Sequence, residues 1–470
     1  LEFRRVLFRS ALAAYLRFSH VPAPLTIHEN IYKLEPASLV TIKGTRRESE
    51  GIPQTQSYWS LSTVARNSIA NRIKDEDEAF HIVESQLLES VQLQSCADVP
   101  LGAFLSGGVD SSLIVALMQQ QASSPVKSFT VGFEEAGFDE APHARAVATY
   151  LGTEHHELFV TSAEALQVIP QLPHIYDEPF ADSSQIPTHL VCKAARQHVT
   201  VALSGDAGDE LFGGYNRYRW VPSVWRRLAR MPHPLRRLLG SLIRLLPVAG
   251  WDGVNRLLRS RQAVSQLGDK AHKLAERLQY TRSLDDLYFA LVSEWLKPEL
   301  VMQNAFSTAV KDIVHDKLPV DLPPVEAMML HDSQNYLPND ILCKVDRAAM
   351  SVSLETRIPF LDHRVAETAW RLPLSMKMRD NTGKWMLRQL LYRHVPQELI
   401  ERPTAGFASP VGQWMRGPLR DWGESLLNET RLEQEGFFNP QLVRNTWQEH
   451  QGGRYDWTAR LWSLLMFQAW

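Results

Sequence analysis

Apolar residues in the first half of the chain alternate between two periods. Helical spacing occurs in five segments: Glu78–Gln94, Asp110–Gln121, Asp139–Leu151, Ser162–Tyr176 and Ile186–Gln197. Short apolar runs that predict strands occur at Val99–Leu105, Val126–Phe133, His155–Val160 and Val199–Leu203. Strands that alternate with helices predict an α/β fold, in which a parallel sheet is flanked by helices.

The segments on either side of this pattern differ from it. Residues 11–45 have strand-like apolar spacing and predict a small β-rich piece, too short to bury a core of its own. Residues 46–74 are polar and predict a linker. Leu1–Ser10 fits neither period, and we expect it to be non-native. Strand-like runs nearly vanish after Trp220, which predicts an α/β core over 75–220 and a mainly helical part over 221–470.

Composition and charge exclude several classes of protein. The 470 residues include 50 Lys and Arg and 53 Asp and Glu, a net charge of −3 that argues against a general nucleic-acid binder. Three scattered cysteines predict neither disulfides nor a CxxC metal site, and favour a reduced, cytoplasmic setting. We expect Cys96 to be a small buried apolar side chain. No apolar run reaches the roughly 18–20 residues of a membrane span.

Charge is unevenly distributed in one segment. Val221–Gly250 contains six arginines and no acidic residue. Two interpretations remain open at this point: solvated helix faces, or a surface that docks on a membrane or a partner.

The first candidate site is the turn Ser106–Ser112 (SGGVDSS), which joins a predicted strand to a predicted helix. Its glycines let the backbone approach a ligand, and the start of the helix presents unpaired N–H groups to an anion. Asp110 would repel a phosphate unless a bridging Mg²⁺ lay between them. The turn therefore predicts a pyrophosphate loop with a metal ligand, distinct from a Walker A loop. A plain serine-rich capped turn is the alternative.

The second candidate site is Ser204–Tyr215 (SGDAGDELFGGY), which follows the apolar run VTVAL. Asp206, Asp209 and Glu210 place three carboxylates within five positions. Because ligands bind beyond the carboxyl ends of parallel strands, this turn and the first are expected at the same sheet edge. Asp110 and Asp209 are then candidates to hold one Mg²⁺. An ordinary acidic surface turn is the alternative.

These motifs resemble those of asparagine synthetases, within the N-type ATP pyrophosphatases. SGGVDSS is similar to the pyrophosphate loop of that superfamily, and SGDAGDELFGGY is similar to the family's SGEGSDELFGGY segment, with Ala207 in place of a glycine. Further similar segments are Asp177–Ser184, Tyr336–Asp362, Gly383–Leu391 and Arg402–Trp414. Residues 11–45 resemble the end of the family's glutamine amidotransferase domain, and 75–470 resemble its synthetase domain.

The resemblance implies roles position by position. Pyrophosphate would be held by Ser106, Gly107, Gly108, Ser111 and Ser112, Mg²⁺ by Asp110 and Asp209, and adenosine by Leu105, Val131, Ser204 and Gly205. Asp206 would lie near the acyl group, and Glu355 and Arg357 at the substrate end, with Asp340 and Lys344 as weaker candidates. For Glu355 and Arg357, a buried ion pair that fixes the helix is the alternative.

The implied activity converts aspartate to asparagine through an acyl-adenylate, with ATP and Mg²⁺ as cofactors and glutamine or ammonia as the nitrogen source. Thr404 stands where the family's RPKxGF segment has a lysine, which predicts slower adenylation. Without the family's N-terminal cysteine, we expect this chain to use ammonia rather than glutamine. Amidation of another carboxylate, such as a sugar acid, and a non-catalytic nucleotide-binding scaffold are the open alternatives. A homodimer is one option for assembly.

Overall fold

The computed structural model describes residues 9–42, 54–133, 140–248, 250–251, 267–303, 318–319, 321–401 and 409–470. Its strands are β1 (Ser38–Val40), β2 (Thr55–Ser57), β3 (Leu101–Phe104), β4 (Lys127–Phe133), β5 (Glu154–Val160), β6 (Val201–Leu203) and β7 (Glu355–Arg357). Helices up to Leu245 are α1 (Arg9–Phe18), α2 (Leu61–Ala70), α3 (Glu76–Gln94), α4 (Val109–Gln121), α5 (Ala141–Leu151), α6 (Ser162–Val168), α7 (Leu172–Ile175), α8 (Gln185–Arg196), α9 (Gly208–Phe212), α10 (Asn216–Leu228) and α11 (His233–Leu245).

The remaining described residues are mainly helical. They form α12 (Leu267–Tyr280), α13 (Leu284–Leu291), α14 (Pro298–Val301), α15 (Pro324–His331), a π-helix (Asp332–Leu342), α16 (Cys343–Met350), α17 (His363–Arg371), α18 (Leu374–Lys377), α19 (Trp385–Leu391), α20 (Gln397–Ile400), α21 (Val411–Arg416), α22 (Arg420–Leu426), α23 (Glu429–Glu435), α24 (Pro440–Gln451) and α25 (Thr458–Ala469). This arrangement confirms the α/β class with a helical second part.

The main sheet of the described residues is parallel, with strand order β5-β4-β3-β6-β7. Ala103 is paired with Ser128 of β4 on one side and with Leu203 of β6 on the other. The chain moves outward from β3 through β4 to β5 and then returns to β6 on the other side of β3. The strand order therefore reverses between β3 and β6, and such a switch point leaves a crevice at the carboxyl ends of the strands.

Both faces of the sheet are covered, which explains why the central strands β3 and β6 are short apolar runs. One core includes Leu113 and Leu117 of α4 and Leu387 of α19. The other includes Ile186 of α8 and Leu465 of α25. Within the described residues, no helix is both long and apolar enough to cross a membrane.

Three local expectations are wrong. Residues 11–18 of the expected β-rich piece belong to α1, because the apolar residues of this helix pack against α25, where the Tyr15 hydroxyl donates to the Ser463 carbonyl at 2.6 Å. Residues 61–70 of the expected linker form α2, which begins at the cap Ser60 and packs on α17. Cys96 is exposed rather than buried, at the end of α3.

Candidate active site

Both predicted turns lie at the crevice between β3 and β6. The first turn follows β3 and leads into α4, and the second follows β6 and leads into α9. A Cβ at Gly205 would lie 2.7 Å from the Ser111 backbone nitrogen, so the two turns touch backbone to backbone. The expectation that the two turns share one sheet edge is confirmed.

The first turn presents an open helix terminus. Gly107 has a φ of 72°, and Gly108 caps α4 without any side-chain hydrogen bond. The Ser106 and Ser111 hydroxyls lie 2.9 Å apart, and the Ser106 hydroxyl also accepts from the Gly108 amide at 3.2 Å. Amides and hydroxyls are thus gathered at the positive end of a 13-residue helix, which is the arrangement that binds phosphate groups.

Ser112 is placed differently from the other serines. It is fully buried, and its hydroxyl has no hydrogen-bond partner among the residues that the structure describes. Leu105 and Val131 are buried in the sheet beside the turn, where the Leu105 amide donates to the Phe129 carbonyl at 2.9 Å. They can form only an apolar wall, as the prediction of an adenosine-lining role requires.

The second turn is strained at Ala207. Its φ of 72° lies in the left-handed region, which costs a residue with a Cβ about 1 kcal/mol or more. The conformation of Ala207 sets the direction of the residues that follow, because α9 begins immediately after it at Gly208. A Cβ at Gly208 would lie 2.5 Å from Asp110 Oδ1, so this position requires glycine for the acidic side chains of the two turns to meet.

Asp110 and Asp209 share one cation in this structure. Lys384 Nζ contacts Asp110 Oδ2 and lies 2.7 Å from Asp209 Oδ1. The two carboxylates are therefore no more than about 6 Å apart, the length of two hydrogen bonds. Lys384 itself is held by its backbone, because its amide donates to the Phe212 carbonyl and it directly precedes α19.

The electrostatics of this pair favour a second cation. Burial raises the pKa of Asp110 from 3.8 to about 6, with Lys384 opposing and Asp209 reinforcing the rise. Asp110 Oδ1 is buried and has no hydrogen-bond partner in the described part of the chain. Two carboxylates with an unsatisfied oxygen are suitable donors for Mg²⁺. The described residues contain no cluster of three or more such ligands, so the other oxygens would come from a bound nucleotide or from water.

Glu210, the third acid of the second turn, faces the other way. It is buried and accepts a hydrogen bond from the Tyr215 hydroxyl at 2.6 Å. Burial and the neighbouring Asp209 raise its pKa to about 8, which favours the protonated form at neutral pH. Only Asp209 and Asp206 of this turn are thus available to a ligand.

Asp206 connects the first acidic cluster with a second one. It accepts from the Ser204 hydroxyl at 2.5 Å, and burial raises its pKa. The positive charges of Lys344 and Lys384 oppose this rise in pKa. Asp206 therefore lies between two lysines, Lys344 in α16 and Lys384 immediately before α19.

The second cluster surrounds Lys344. Its buried ammonium group donates to Asp182 Oδ2 at 2.7 Å and to the Ser184 hydroxyl at 2.8 Å. Asp340 lies close by, and burial followed by the charge of Asp182 raises its pKa to about 6. His20 Nδ1, from the segment after α1, is 3.3 Å from Asp340 Oδ2. This cluster combines three motifs that are far apart in the sequence.

The structure does not bring Glu355 and Arg357 to either cluster. Both belong to the edge strand β7, and Arg357 Nε donates to Glu355 Oε1 at 2.7 Å. Arg357 also donates to the carbonyls of Gln94 and Cys96, both at 2.8 Å. The Glu355 side chain is 55% exposed. The pair is exposed at Glu355 and lies on a strand, so it differs from the alternative of a buried ion pair that fixes a helix. A role for either residue in catalysis stays a prediction.

Sequence reasoning missed four members of the site: Lys384, His20, and Asp182 and Ser184 of the segment Asp177–Ser184. Lys384 lies within the segment Gly383–Leu391 that resembles the family, and a Gly-Lys pair at the start of a helix was the available signal. His20 carried no signal, because its partner is 320 positions away. Thr404, predicted to slow adenylation, lies outside the described residues.

Comparison with known proteins assigns the family. The family model described as asparagine synthase matches residues 83–470. The chain belongs to the asparagine synthase family. A glutamine-hydrolyzing asparagine synthetase of Bacillus subtilis, numbered 1, is 29% identical over 467 residues, which are 98% of this chain and 68% of that protein. A putative asparagine synthetase of Mycobacterium tuberculosis is 33% identical over 463 residues, 98% of this chain and 67% of that protein.

Not every relative is named a synthetase. Amidase chry2 of Gibberella zeae is 25% identical over 464 residues, 89% of this chain and 64% of that protein. Membership in the asparagine synthase family confirms the resemblance given by the motifs. The chain is therefore an enzyme of the ligase class, and its chemistry is ATP-dependent.

Proposed function

We propose that the chain adenylates the side-chain carboxylate of aspartate with ATP and converts the adenylate to asparagine with ammonia. The observation that carries this proposal is the pair Asp110 and Asp209, which share one cation at the open N-terminus of α4. An anion-binding helix end beside two carboxylates is suited to a triphosphate that carries its own Mg²⁺.

The phosphate side of the site is formed by the first turn and by Lys384. The free amides of α4 and the Ser106 and Ser111 hydroxyls would hold the two outer phosphoryl groups. Asp110 and Asp209 would hold Mg²⁺, which neutralises negative charge on the departing pyrophosphate when it is bound. Lys384 has a long, flexible side chain, and it is available to the phosphates once Mg²⁺ balances the two acids.

The acceptor side of the site is formed by the cluster around Lys344. A buried ammonium is a strong partner for a carboxylate of the substrate, because little water screens it there. Asp206 separates this cluster from the phosphate side and is placed to contact the acyl group or the ammonia. The balanced reaction is attack of a carboxylate oxygen on the α-phosphorus with loss of pyrophosphate, followed by attack of ammonia on the acyl carbon with loss of AMP and a proton.

We further propose that residues 11–45 are the end of a glutamine amidotransferase domain. His20 is the observation that supports a functional link, because it reaches the acceptor cluster through Asp340. Ammonia would then be the direct nucleophile at the ligase site, whether it comes from solution or from glutamine.

ATP–pyrophosphate exchange tests the proposal, because exchange requires a reversible adenylate. The chain should support exchange with Mg²⁺ and aspartate. Asp110→Asn and Asp209→Asn should each lower the exchange rate by about 100-fold or more, since each variant removes charge compensation at the leaving group. Asp421→Asn, a change of an exposed aspartate in α22, is the matched control and should leave the rate unchanged.

Two outcomes would contradict the proposal. Exchange with a uronic acid but not with aspartate would retain the adenylation chemistry and replace the substrate. Binding of Mg²⁺-ATP without exchange for any carboxylate would assign the fold to nucleotide binding alone.

A further inference from the structure

Helix α11 exposes a continuous row of leucines. Leu235, Leu238, Leu242 and Leu245 are between 50% and 78% exposed, and Leu239 and Leu246 beside them are partly exposed. Their spacing of three and four residues places them on one face of the helix. Single exposed leucines are ordinary on protein surfaces, whereas a full row along a 13-residue helix is not.

The opposite side of α11 fixes the direction of this row. Arg236 is buried and donates to the Thr281 carbonyl at 2.9 Å, and Gly240 packs so closely on α12 that a Cβ would lie 2.8 Å from the Ala275 carbonyl oxygen. His233 lies 3.2 Å from the Gln279 carbonyl. The helix is therefore fastened along one side, and its leucines are directed away from the described part of the protein.

The charged residues of the segment that contains the leucine row are all of one sign. Val221–Gly250 has six arginines and no acidic residue. Five of these arginines are exposed: Arg226, Arg227, Arg230, Arg237 and Arg244. Arg237 and Arg244 lie on the side of α11 away from the leucines. Leucines on one side and arginines without acids on the other are the composition of helices that lie in the surface of an anionic bilayer.

We propose that α11 docks the enzyme on the surface of a membrane that contains anionic lipids. The leucines would enter the interface between headgroups and acyl chains, and the arginines would attract the anionic headgroups. A second copy of the chain is the competing occupant of this face. This proposal is independent of the substrate proposed above. It takes up the docking surface, one of the two interpretations left open for the arginine-rich segment.

The position of α11 gives this docking a functional consequence. Helix α10 follows directly after the second turn of the active site and leads to α11. The 13 residues of α10 span about 20 Å, so the docked surface is joined to the site by one short helix. Docking would therefore hold the active site near the bilayer surface, whichever substrate it uses.

Vesicle flotation tests the proposal with the full chain. At low ionic strength, the protein should float with vesicles of equimolar phosphatidylcholine and phosphatidylglycerol and should not float with phosphatidylcholine alone. High salt should weaken binding, because the attraction to headgroups is screened. Leu238→Asp combined with Leu242→Asp should weaken binding at least tenfold. Leu300→Asp, a change of a leucine that is 59% exposed on α14, is the matched control and should bind as the unaltered chain does.

Thermal unfolding and ATP–pyrophosphate exchange confirm that each variant is folded, since none of these leucines contacts the active site. Three results would overturn the proposal. The first is that the unaltered chain does not float with anionic vesicles. The second is that the double variant floats as well as the control. The third is that the two leucine changes abolish a dimer seen by ultracentrifugation while flotation is never seen.

Discussion

Replacing Lys384 with methionine removes the ammonium that both Asp110 and Asp209 contact. The Lys384 and Asp110 side chains are only 12% and 15% exposed, so little water can take the place of the lost partner. Breaking a buried pair by deleting one member costs about 3–5 kcal/mol, because the remaining charge stays buried. Asp209 is more exposed and adds less. We therefore expect Lys384→Met to lower the free energy of unfolding by about 3 kcal/mol.

Urea unfolding with EDTA and with Mg²⁺ measures this effect. Mg²⁺ should stabilise Lys384→Met more than the unaltered chain, because the ion then balances two carboxylates that no longer share a lysine. The matched control is Lys377→Met. Lys377 is fully buried, but its ammonium has no hydrogen-bond partner in the described residues and lies 4.8 Å from the centre of the Trp370 ring.

The two substitutions should therefore change the free energy of unfolding in opposite directions. Lys377→Met replaces an ammonium without a hydrogen-bond partner with an apolar chain of similar length, and we expect a gain in unfolding free energy. The reasoning is refuted if both variants lose stability equally. It is also refuted if Mg²⁺ raises the unfolding free energy of Lys384→Met no more than that of the unaltered chain.

Three further predictions concern Lys377, Gly205 and His20. Burial lowers the pKa of Lys377 from 10.5 to about 7. Between these pH values the unfolded chain binds more protons than the folded one, so the unfolding free energy of the unaltered protein rises with pH. The advantage of Lys377→Met in urea unfolding, on the order of 3 kcal/mol at pH 7, should therefore shrink toward pH 10. Gly205→Ala should force the two turns apart and weaken ATP binding in calorimetry at least tenfold. Gly152→Ala, at a glycine with nothing within 4 Å of its Cβ position, should lower stability but leave ATP affinity intact; equal ATP affinities for the two variants would contradict this reasoning. His20→Phe leaves Asp340 without its partner and should raise the KM for aspartate but not for ATP, and unchanged kinetics would remove His20 from the site.

The sequence by itself determined the α/β core and the position of the turn Ser106–Ser112, which we propose binds phosphate. The strands around the site are buried on both faces, so each reads as a short apolar run, and each turn that follows is marked by glycines and serines in consecutive positions. Parallel topology then requires Ser106–Ser112 and Ser204–Tyr215 to lie at one edge. Even the left-handed backbone of Ala207 was foreseeable, because a glycine is usual at that position in the family that the turn resembles.

Only the tertiary structure decided which charges meet at the site. Lys384 and Asp110 are 274 positions apart, and Lys344 and Asp182 are 162 apart. A lysine destined for burial between carboxylates has the same local sequence as a lysine on the surface, because its neighbours along the chain do not supply its partners. For the same reason the sequence could not distinguish Lys384, which contacts two carboxylates, from Lys377, whose ammonium has no hydrogen-bond partner in the described residues. The sequence also could not show that Arg236 would be buried while the leucines around it face outward. Arg236 is buried because α11 packs on α12, and α12 does not follow α11 directly in the chain.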